Sequence, residues 1–214
     1  MKLHGCLCAA MRNDCYMKKG IFRKLIVFII CLLCISGCGA DDNTTAVLLD
    51  NPNLSESIYS LGDNMGDYKL TDVNGNTYTF SELLATKKAI VLNFWFINCG
   101  PCQMEFPYLQ AAADKYSNDI AVLAINPTDD RENQIKNYAI NNGLSLPFIK
   151  GEQEWISAFS LQGFPTTVVI DRYGKIAFSH VGAVTEKGVF EDMFKHFVSD
   201  DYKHSIVKNI NEFK

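Results

Sequence analysis

The spacing of hydrophobic residues predicts alternating strands and helices over most of the chain. Continuous apolar runs at 89–96 and 120–125 are typical of strands that are buried on both faces of a sheet. Apolar residues recur at helical spacing from Phe106 to Tyr116, and residues 132–142 predict another helix. Strands that alternate with helices indicate an α/β fold, with a central mixed β-sheet flanked by helices.

Antiparallel strand pairs are predicted at both ends of this region. Asn74-Gly75 lies between two strand-like runs, which is a strong signal for an N-terminal β-hairpin, and Ser81 is the predicted cap of a short helix after it. Two apolar runs around a turn, at 166–170 and 175–180, predict a second pair of strands. A helical pattern at 185–198 predicts the final helix. Residues 199–214 are expected to form a surface appendage.

The first 37 residues have the composition of a secretory signal peptide. Four basic residues between Lys18 and Lys24 precede an apolar run from Leu25 to Ile35. This run is shorter than the ~20 apolar residues that span a bilayer comfortably. The residues before Met17 fit no signal, so we expect translation to begin at Met17.

Residues Ile35-Ser36-Gly37-Cys38 resemble a bacterial lipobox. The resemblance implies that Cys38 receives a diacylglycerol and becomes the mature N-terminus, which would place the protein on the outer face of a bacterial membrane. The alternatives are an uncleaved membrane anchor and an ordinary secretory signal with a chance cysteine. The chain then divides into a flexible tether at 38–57, a folded domain at 58–198 and the appendage at 199–214.

The net charge changes once the signal is removed. The whole chain carries a formal charge of −4, but residues 1–37 hold six of its 20 basic residues and one of its 24 acidic residues. The rest of the chain therefore has 14 basic against 23 acidic residues, a formal charge of −9. This balance argues against nucleic acid as a partner, and against membrane contact beyond the lipid anchor.

The eight cysteines are distributed unevenly, with six in the first 38 residues and only Cys99 and Cys102 after them. A disulfide-stapled scaffold needs cysteines throughout the fold, so that class is excluded. Cys99-Gly100-Pro101-Cys102 follows a predicted strand and opens a helix. Unpaired N–H groups at a helix N-terminus favour a thiolate. We therefore predict that Cys99 is an exposed nucleophile and that Cys102 is the resolving thiol of a redox-active disulfide.

A zinc site is the structural alternative for this cysteine pair. It needs two more ligands at suitable spacing, usually cysteine or histidine. The mature chain offers no further free cysteine, and His196 and His204 are eight residues apart. We predict no metal ion and no bound cofactor.

Residues 94–107 look like the active-site segment of the thioredoxin superfamily. The chain resembles its TlpA/ResA-type membrane-anchored thiol–disulfide oxidoreductases over residues 58–198. Residues 163–167, Gly-Phe-Pro-Thr-Thr, are similar to the loop of this family that faces the cysteines, which implies a cis peptide bond before Pro165. Residues 120–159 resemble the strand and helix that these proteins insert into the thioredoxin-like fold.

Three residues bear on how far the resemblance extends. Asn98 stands where the family usually has an aromatic residue before the first cysteine, and Asn93 stands where cytosolic thioredoxins have a buried aspartate. Glu105 matches the acidic residue of the C-x-x-C-x-x-E-x-P pattern in the TlpA/ResA group. The resemblance makes Glu105 the candidate for proton handling, with a pKa raised by burial. A solvated helix glutamate is the alternative.

The resemblance implies a lipid-anchored thiol–disulfide oxidoreductase outside the cytoplasm. It would reduce the disulfides of client proteins and take electrons from a membrane thiol donor of the CcdA type. A thiol peroxidase shares the fold, but the residues before Cys99 lack the Pro-x-x-x-Thr-x-x-Cys pattern of that class. The third hypothesis is a lipoprotein that kept the fold as a binding module without turnover.

Overall fold

A computed structural model of the protein describes the backbone at 48–49 and all of residues 59–213. The predicted signal at 1–37, Cys38 and most of the predicted tether lie outside the described residues. The hairpin predicted at Asn74-Gly75 is present in a small antiparallel sheet in the order β1-β2-β3. Its strands are β1 (Leu48–Leu49), β2 (Asp67–Thr71) and β3 (Thr77–Thr79).

The main sheet has five strands in the order β6-β5-β4-β7-β8. β4, β5 and β6 run parallel, whereas β7 pairs antiparallel with both β4 and β8, so the sheet is mixed as predicted. The strands are β4 (Ala89–Phe94), β5 (Ile120–Asn126), β6 (Phe148–Lys150), β7 (Thr166–Asp171) and β8 (Ile176–Val181).

Helices cover both faces of this sheet. They are α1 (Phe80–Thr86), α2 (Gly100–Lys115), α3 (Glu132–Asn141), α4 (Glu154–Ala158) and α5 (Val189–Val198), and a 3-10 turn follows at Ile210–Phe213. The sequence did not separate β6 and α4, because elements of three and five residues are too short to show a period.

The central strand β4 contributes side chains to two hydrophobic cores, because successive side chains point to opposite faces of the sheet. Ala89 and Val91 face a core shared with α2, α3 and α5, whereas Ile90, Leu92 and Phe94 face a core shared with β2, α1 and α4. The same alternation directs the side chain of residue 93 towards α2. A polar residue at that position therefore lies beneath the helix that carries the cysteines.

The predicted cap of α1 is corrected by the structure. Ser81 lies inside the helix, and the side chain of the N-cap residue Thr79 makes no capping hydrogen bond. The Asp67 carboxylate caps the helix instead, since it accepts hydrogen bonds from the Ser81 N–H at 2.9 Å and from the Ser81 hydroxyl at 2.7 Å. The cap comes from a neighbouring strand, which a local sequence signal does not reveal.

The prediction of a surface appendage at 199–214 is wrong for part of that segment. Tyr202, Val207 and Phe213 are buried in the core on the α5 side of the sheet. The Val207 N–H donates to the Ala177 carbonyl at 2.9 Å on the outer edge of β8. Most residues of this segment are polar or charged, and the burial of Tyr202, Val207 and Phe213 depends on tertiary packing that the local pattern does not show.

Candidate active site

The Cys99–Cys102 disulfide lies at the junction of β4 and α2. Cys99 is the N-cap of α2, at the end of the helix where backbone N–H groups lack intrahelical partners. Its Sγ accepts a hydrogen bond from the Cys102 N–H at 3.1 Å. After reduction, that donor and the positive end of the helix dipole would stabilise a thiolate at Cys99.

The prediction that Cys99 is exposed is wrong for the oxidised protein. Cys99 is only 3% exposed and Cys102 is fully buried, because the Cys99 sulfur is bonded to a sulfur inside the core. The neighbouring Asn98, Gly100 and Pro101 are exposed. The disulfide therefore lies directly beneath the surface, next to these three exposed residues.

The loop before Cys99 is held by two side chains that bind the backbone of Ile97. The Ile97 N–H donates to Asp130 Oδ2 at 2.9 Å, and Gln103 Nε2 donates to the Ile97 carbonyl at 2.8 Å. We call this pair of bonds the Ile97 clamp. The Cys99 N–H donates to the Phe96 carbonyl at 3.2 Å and closes a turn in the same loop. The position of Cys99 is thus set from α2 and from the segment after β5.

Asp130 is held in place by its own neighbours. The same Oδ2 atom also accepts hydrogen bonds from Asn126 Nδ2 at 2.9 Å and from the Thr128 hydroxyl at 3.2 Å. Sequence reasoning missed this residue. A signal was available, because β4 and β5 are adjacent parallel strands and the polar residues after each lie at the same edge of the sheet.

Glu105 lies on α2 one turn beyond Cys102 and is fully buried. Its Oε2 accepts a hydrogen bond from the Val184 N–H at 2.8 Å, and its Oε1 accepts one from Asn93 Nδ2 at 2.7 Å. Burial disfavours the charged carboxylate and raises the pKa of Glu105 to about 7, although both hydrogen bonds favour the charge. The predicted burial and raised pKa are confirmed, and the role of Glu105 in proton transfer stays a prediction.

Asn93 connects Glu105 to β7. Its Nδ2 also donates to the Thr167 hydroxyl at 3.2 Å, and its Oδ1 has no hydrogen-bond partner among the described residues. If the amide turned by 180°, Oδ1 would accept a hydrogen bond from a protonated Glu105. A neutral amide is therefore compatible with both protonation states of Glu105, whereas a second carboxylate at this distance would repel the first.

Pro165 lies at the same edge of the sheet as the disulfide. The Phe164–Pro165 peptide bond is cis, as the resemblance implied. Thr166 at the start of β7 is the register partner of Phe94 at the end of β4, so the proline loop adjoins the loop before Cys99. The rings of Phe164 and Phe96 meet edge to face with their centroids 5.5 Å apart. The function of Pro165 at this position stays a prediction.

Within residues 59–213, no group of three or more His, Cys, Asp or Glu side chains is placed to hold a metal ion. None of the helices described there is both long and apolar enough to cross a membrane. The predicted lipidation residue, Cys38, lies outside these residues.

Comparison with known proteins agrees with this geometry. The sequence model of the Redoxin family matches residues 60–195, which is more than half of the chain. The thiol–disulfide oxidoreductase ResA of Bacillus subtilis is 30% identical over 183 residues, which cover 82% of this chain and 93% of ResA.

Solved structures show the same fold. A thioredoxin-family thiol:disulfide interchange protein of Chlorobium tepidum superposes with a TM-score of 0.55 at 23% identity, covering 66% of this chain and 99% of the other. The exposed lipoprotein thioredoxin Etrx1 of Streptococcus pneumoniae superposes with a TM-score of 0.52 at 26% identity, covering 61% of this chain and 98% of the other. These likenesses support the thioredoxin-like fold that the sequence predicted.

Glu105 should make the stability of the oxidised protein depend on pH. Because the pKa of Glu105 is raised to about 7 from an ordinary value of 4.5, the folded protein binds more protons than the unfolded chain between these values. The contribution of the protonated carboxyl to stability is complete below pH 4.5 and is lost as the pH rises through 7. Relative to the native protein, Glu105→Gln should gain up to about 3 kcal/mol of unfolding free energy between pH 4.5 and 8.

Urea unfolding of both proteins at several pH values measures this difference. Glu152→Gln, a change at an exposed glutamate, is the control. Its unfolding free energy should change with pH in the same way as that of the native protein. A constant difference between Glu105→Gln and the native protein across the whole pH range would contradict the raised pKa.

The Ile97 clamp should position Cys99 through hydrogen bonds rather than through charge. Asp130→Ala removes the acceptor, so we expect slower alkylation of Cys99 in the reduced protein and a loss of about 1–3 kcal/mol of unfolding free energy. Asp130→Asn can place one oxygen at the site of Oδ2 and should keep most of the native alkylation rate.

Asp67→Ala is the matched control, because it removes a carboxylate that also binds a backbone N–H, that of Ser81 at 2.9 Å. Iodoacetamide kinetics between pH 5 and 9 and urea unfolding provide the two measurements. Equal alkylation profiles for Asp130→Ala and Asp67→Ala would show that the clamp has no special effect on Cys99.

Proposed function

The chain belongs to the Redoxin family and is a thiol–disulfide oxidoreductase, and we propose that it reduces disulfides of client proteins outside the cytoplasm through Cys99 and Cys102. The observation that carries this proposal is the Cys99–Cys102 disulfide at the N-terminus of α2, one helical turn before a buried carboxyl with a pKa of about 7. This arrangement combines a stabilised thiolate, a second thiol within bonding distance and a nearby group that can exchange protons.

The reaction begins with the reduced protein and a client disulfide. The Cys99 thiolate attacks one client sulfur, the client disulfide breaks, and the other client sulfur leaves as a thiolate that takes up a proton. Cys102 then loses its proton and attacks the Cys99 sulfur of the mixed disulfide. The Cys99–Cys102 bond forms, the client sulfur is released as its second thiol, and two electrons have passed from the protein to the client.

Cys99 is proposed as the attacking residue because it is the N-cap of α2. The Cys102 N–H already donates to its sulfur at 3.1 Å, and this donor remains available to a thiolate. Cys102 is deeper and fully buried, so a client sulfur meets Cys99 first. Pro165, in the adjoining loop, is proposed to line the approach to the disulfide.

Glu105 is proposed to take the proton that Cys102 loses during the second attack. A group with a pKa near the working pH is well suited to this transfer, and the pKa of Glu105 is about 7. The charges of the carboxylate and of a nearby thiolate would repel, so the two groups should titrate as a coupled pair. Glu105→Gln should therefore lengthen the lifetime of the mixed disulfide, and an unchanged lifetime would exclude the relay.

The proposed direction is reduction of the client. The Gly100-Pro101 pair between the cysteines resembles that of thioredoxin, whose potential is about −270 mV, compared with about −120 mV for the oxidant DsbA. Each turnover leaves the protein oxidised, so a membrane dithiol donor of the CcdA type is proposed to restore the dithiol.

Lipid anchoring at Cys38 is a separate part of the proposal. It is supported by the lipobox-like residues 35–38 and by likeness to a Streptococcus pneumoniae protein described as an exposed lipoprotein thioredoxin. The anchor would keep the domain close to a membrane donor while the tether at 38–57 lets it reach its clients.

Single-cysteine variants test the assignment of roles. Cys102→Ser should retain a reactive Cys99 and accumulate a mixed disulfide with its client, because the second attack is missing. Cys99→Ser should abolish disulfide reduction. Incubation with oxidised insulin, followed by non-reducing electrophoresis and mass spectrometry, detects the mixed disulfide. A reactive thiol found at Cys102 and not at Cys99 would reverse the roles, and peroxide consumption without insulin reduction would favour a thiol peroxidase.

Substitution of Cys38 tests the anchor. Cys38→Ala should prevent lipidation and leave the protein as an unprocessed precursor or in the soluble fraction. Fractionation of a bacterial host, with intact mass measurement, gives the result. Unchanged mass and membrane partition would favour a retained apolar anchor, and Cys102→Ser should partition like the native protein.

A further inference from the structure

Helix α2 has apolar side chains on its outer surface as well as on its inner surface. A surface helix normally carries polar residues on the side that faces solvent. On α2, polar or charged residues on the exposed side are confined to Gln103 near the start and to the last turns. The exposed apolar residues lie along one side of the helix and are Pro101, Met104, Pro107, Tyr108 and Ala111.

Two large side chains dominate this surface. Met104 is 59% exposed and Tyr108 is 37% exposed. Scattered single apolar residues on a protein surface need no explanation, but contiguous apolar patches commonly mark interaction sites. Met104 and Tyr108 are four residues apart on the helix, so they are neighbours on its surface.

A groove continues this surface towards α5. It has a volume of about 310 Å³ and lies between α2 and the start of α5. Tyr108, Lys187 and Phe190 are among the residues that line it. Glu191, on the same side of α5, forms an ion pair with Lys115.

The patch begins at the reactive disulfide. With a rise of 1.5 Å per residue, Met104 and Tyr108 lie about 7.5 and 13.5 Å along the helix from Cys99. An extended chain advances about 3.3 Å per residue. A polypeptide bonded to Cys99 and extended along α2 would bring the residue two positions from its cysteine over Met104, and the residue four positions away over Tyr108.

We propose that the exposed side of α2 from Pro101 to Ala111, together with the groove beside Phe190, binds client polypeptides that carry an apolar side chain two to four residues from the reacting cysteine. This inference rests on the proposed function and names a substrate class for it. A client is the favoured occupant because the patch is continuous with the disulfide at which every client must react. The flexible thioether of Met104 adapts to side chains of different shape, which suits a site with several clients.

Two other occupants fit the observations less well. Attachment to an anionic bilayer is opposed by the formal charge of −9 on residues 38–214. A second copy of this chain on the patch would cover the approach to the disulfide and so block reduction. Both remain measurable outcomes of the test.

A pair of synthetic peptides tests the proposal. Each contains one intramolecular disulfide, and the two differ only in a leucine or a serine three residues after the second cysteine. With dithiothreitol as the electron source, the native protein should reduce the leucine peptide with about tenfold higher kcat/KM, mainly through a lower KM. Met104→Gln and Tyr108→Gln should each lower this preference several-fold.

Ile140→Gln is the matched control, because Ile140 is 66% exposed on α3 and lies outside the patch. It should keep the native preference. A change in thiol reactivity alters the rates for both peptides together. The ratio of the two kcat/KM values therefore reports binding at the patch and not the reactivity of the thiol. Thermal melting of every variant excludes unfolding as the cause of a lost preference.

The outcomes distinguish the inference from the proposed function. If the native protein reduces neither peptide, the proposed reductase function fails. Reduction of both peptides at equal kcat/KM, or an equal preference in Met104→Gln and the native protein, would overturn the docking site alone. Sedimentation of a dimer that Met104→Gln dissociates, or binding to anionic vesicles that it abolishes, would also overturn it in favour of another occupant.

Discussion

Glu105 is an ionisable side chain without access to solvent, and groups near the disulfide provide hydrogen-bond partners for its carboxyl oxygens. Its two oxygens are bound by an amide from β4, Asn93, and by the backbone N–H of Val184 beyond β8. Because Glu105 itself belongs to α2, these two hydrogen bonds fix the cysteine-bearing helix against β4 and against the segment after β8. Displacement of any of them would leave a buried carboxyl or its partner without a hydrogen bond, which is costly in a protein interior.

The two sulfurs of the disulfide have different surroundings. Cys99 is held at the helix N-terminus by the Ile97 clamp and lies just beneath the surface, whereas Cys102 lies deeper and one turn before Glu105. This asymmetry supports different roles for two residues of the same type. The clamp also makes the segment after β5 part of the site, since Asp130 reaches across to the loop before Cys99.

Patterns within one segment predicted much of the molecule. The apolar run at 89–96 and the cysteines after it predicted a buried strand, a turn and the start of a helix, which β4 and α2 confirm. Asp130, the Asp67 cap on α1 and the buried Phe213 could not be predicted in this way, because each acts on a partner that is distant along the chain. The low exposure of Cys99 has a similar cause, since a disulfide to the core outweighs the position of the residue in a surface turn.

The most direct test of the central claim is a carboxyl titration of Glu105 itself. Carbon-13 NMR of protein labelled at the glutamate side-chain carboxyl, with Glu105→Gln to assign the signal, follows its ionisation in the oxidised protein. The structure predicts a midpoint near pH 7, and a further rise after reduction, because the Cys99 thiolate would oppose the carboxylate charge. A midpoint near the ordinary value of 4.5 in both redox states would contradict the account.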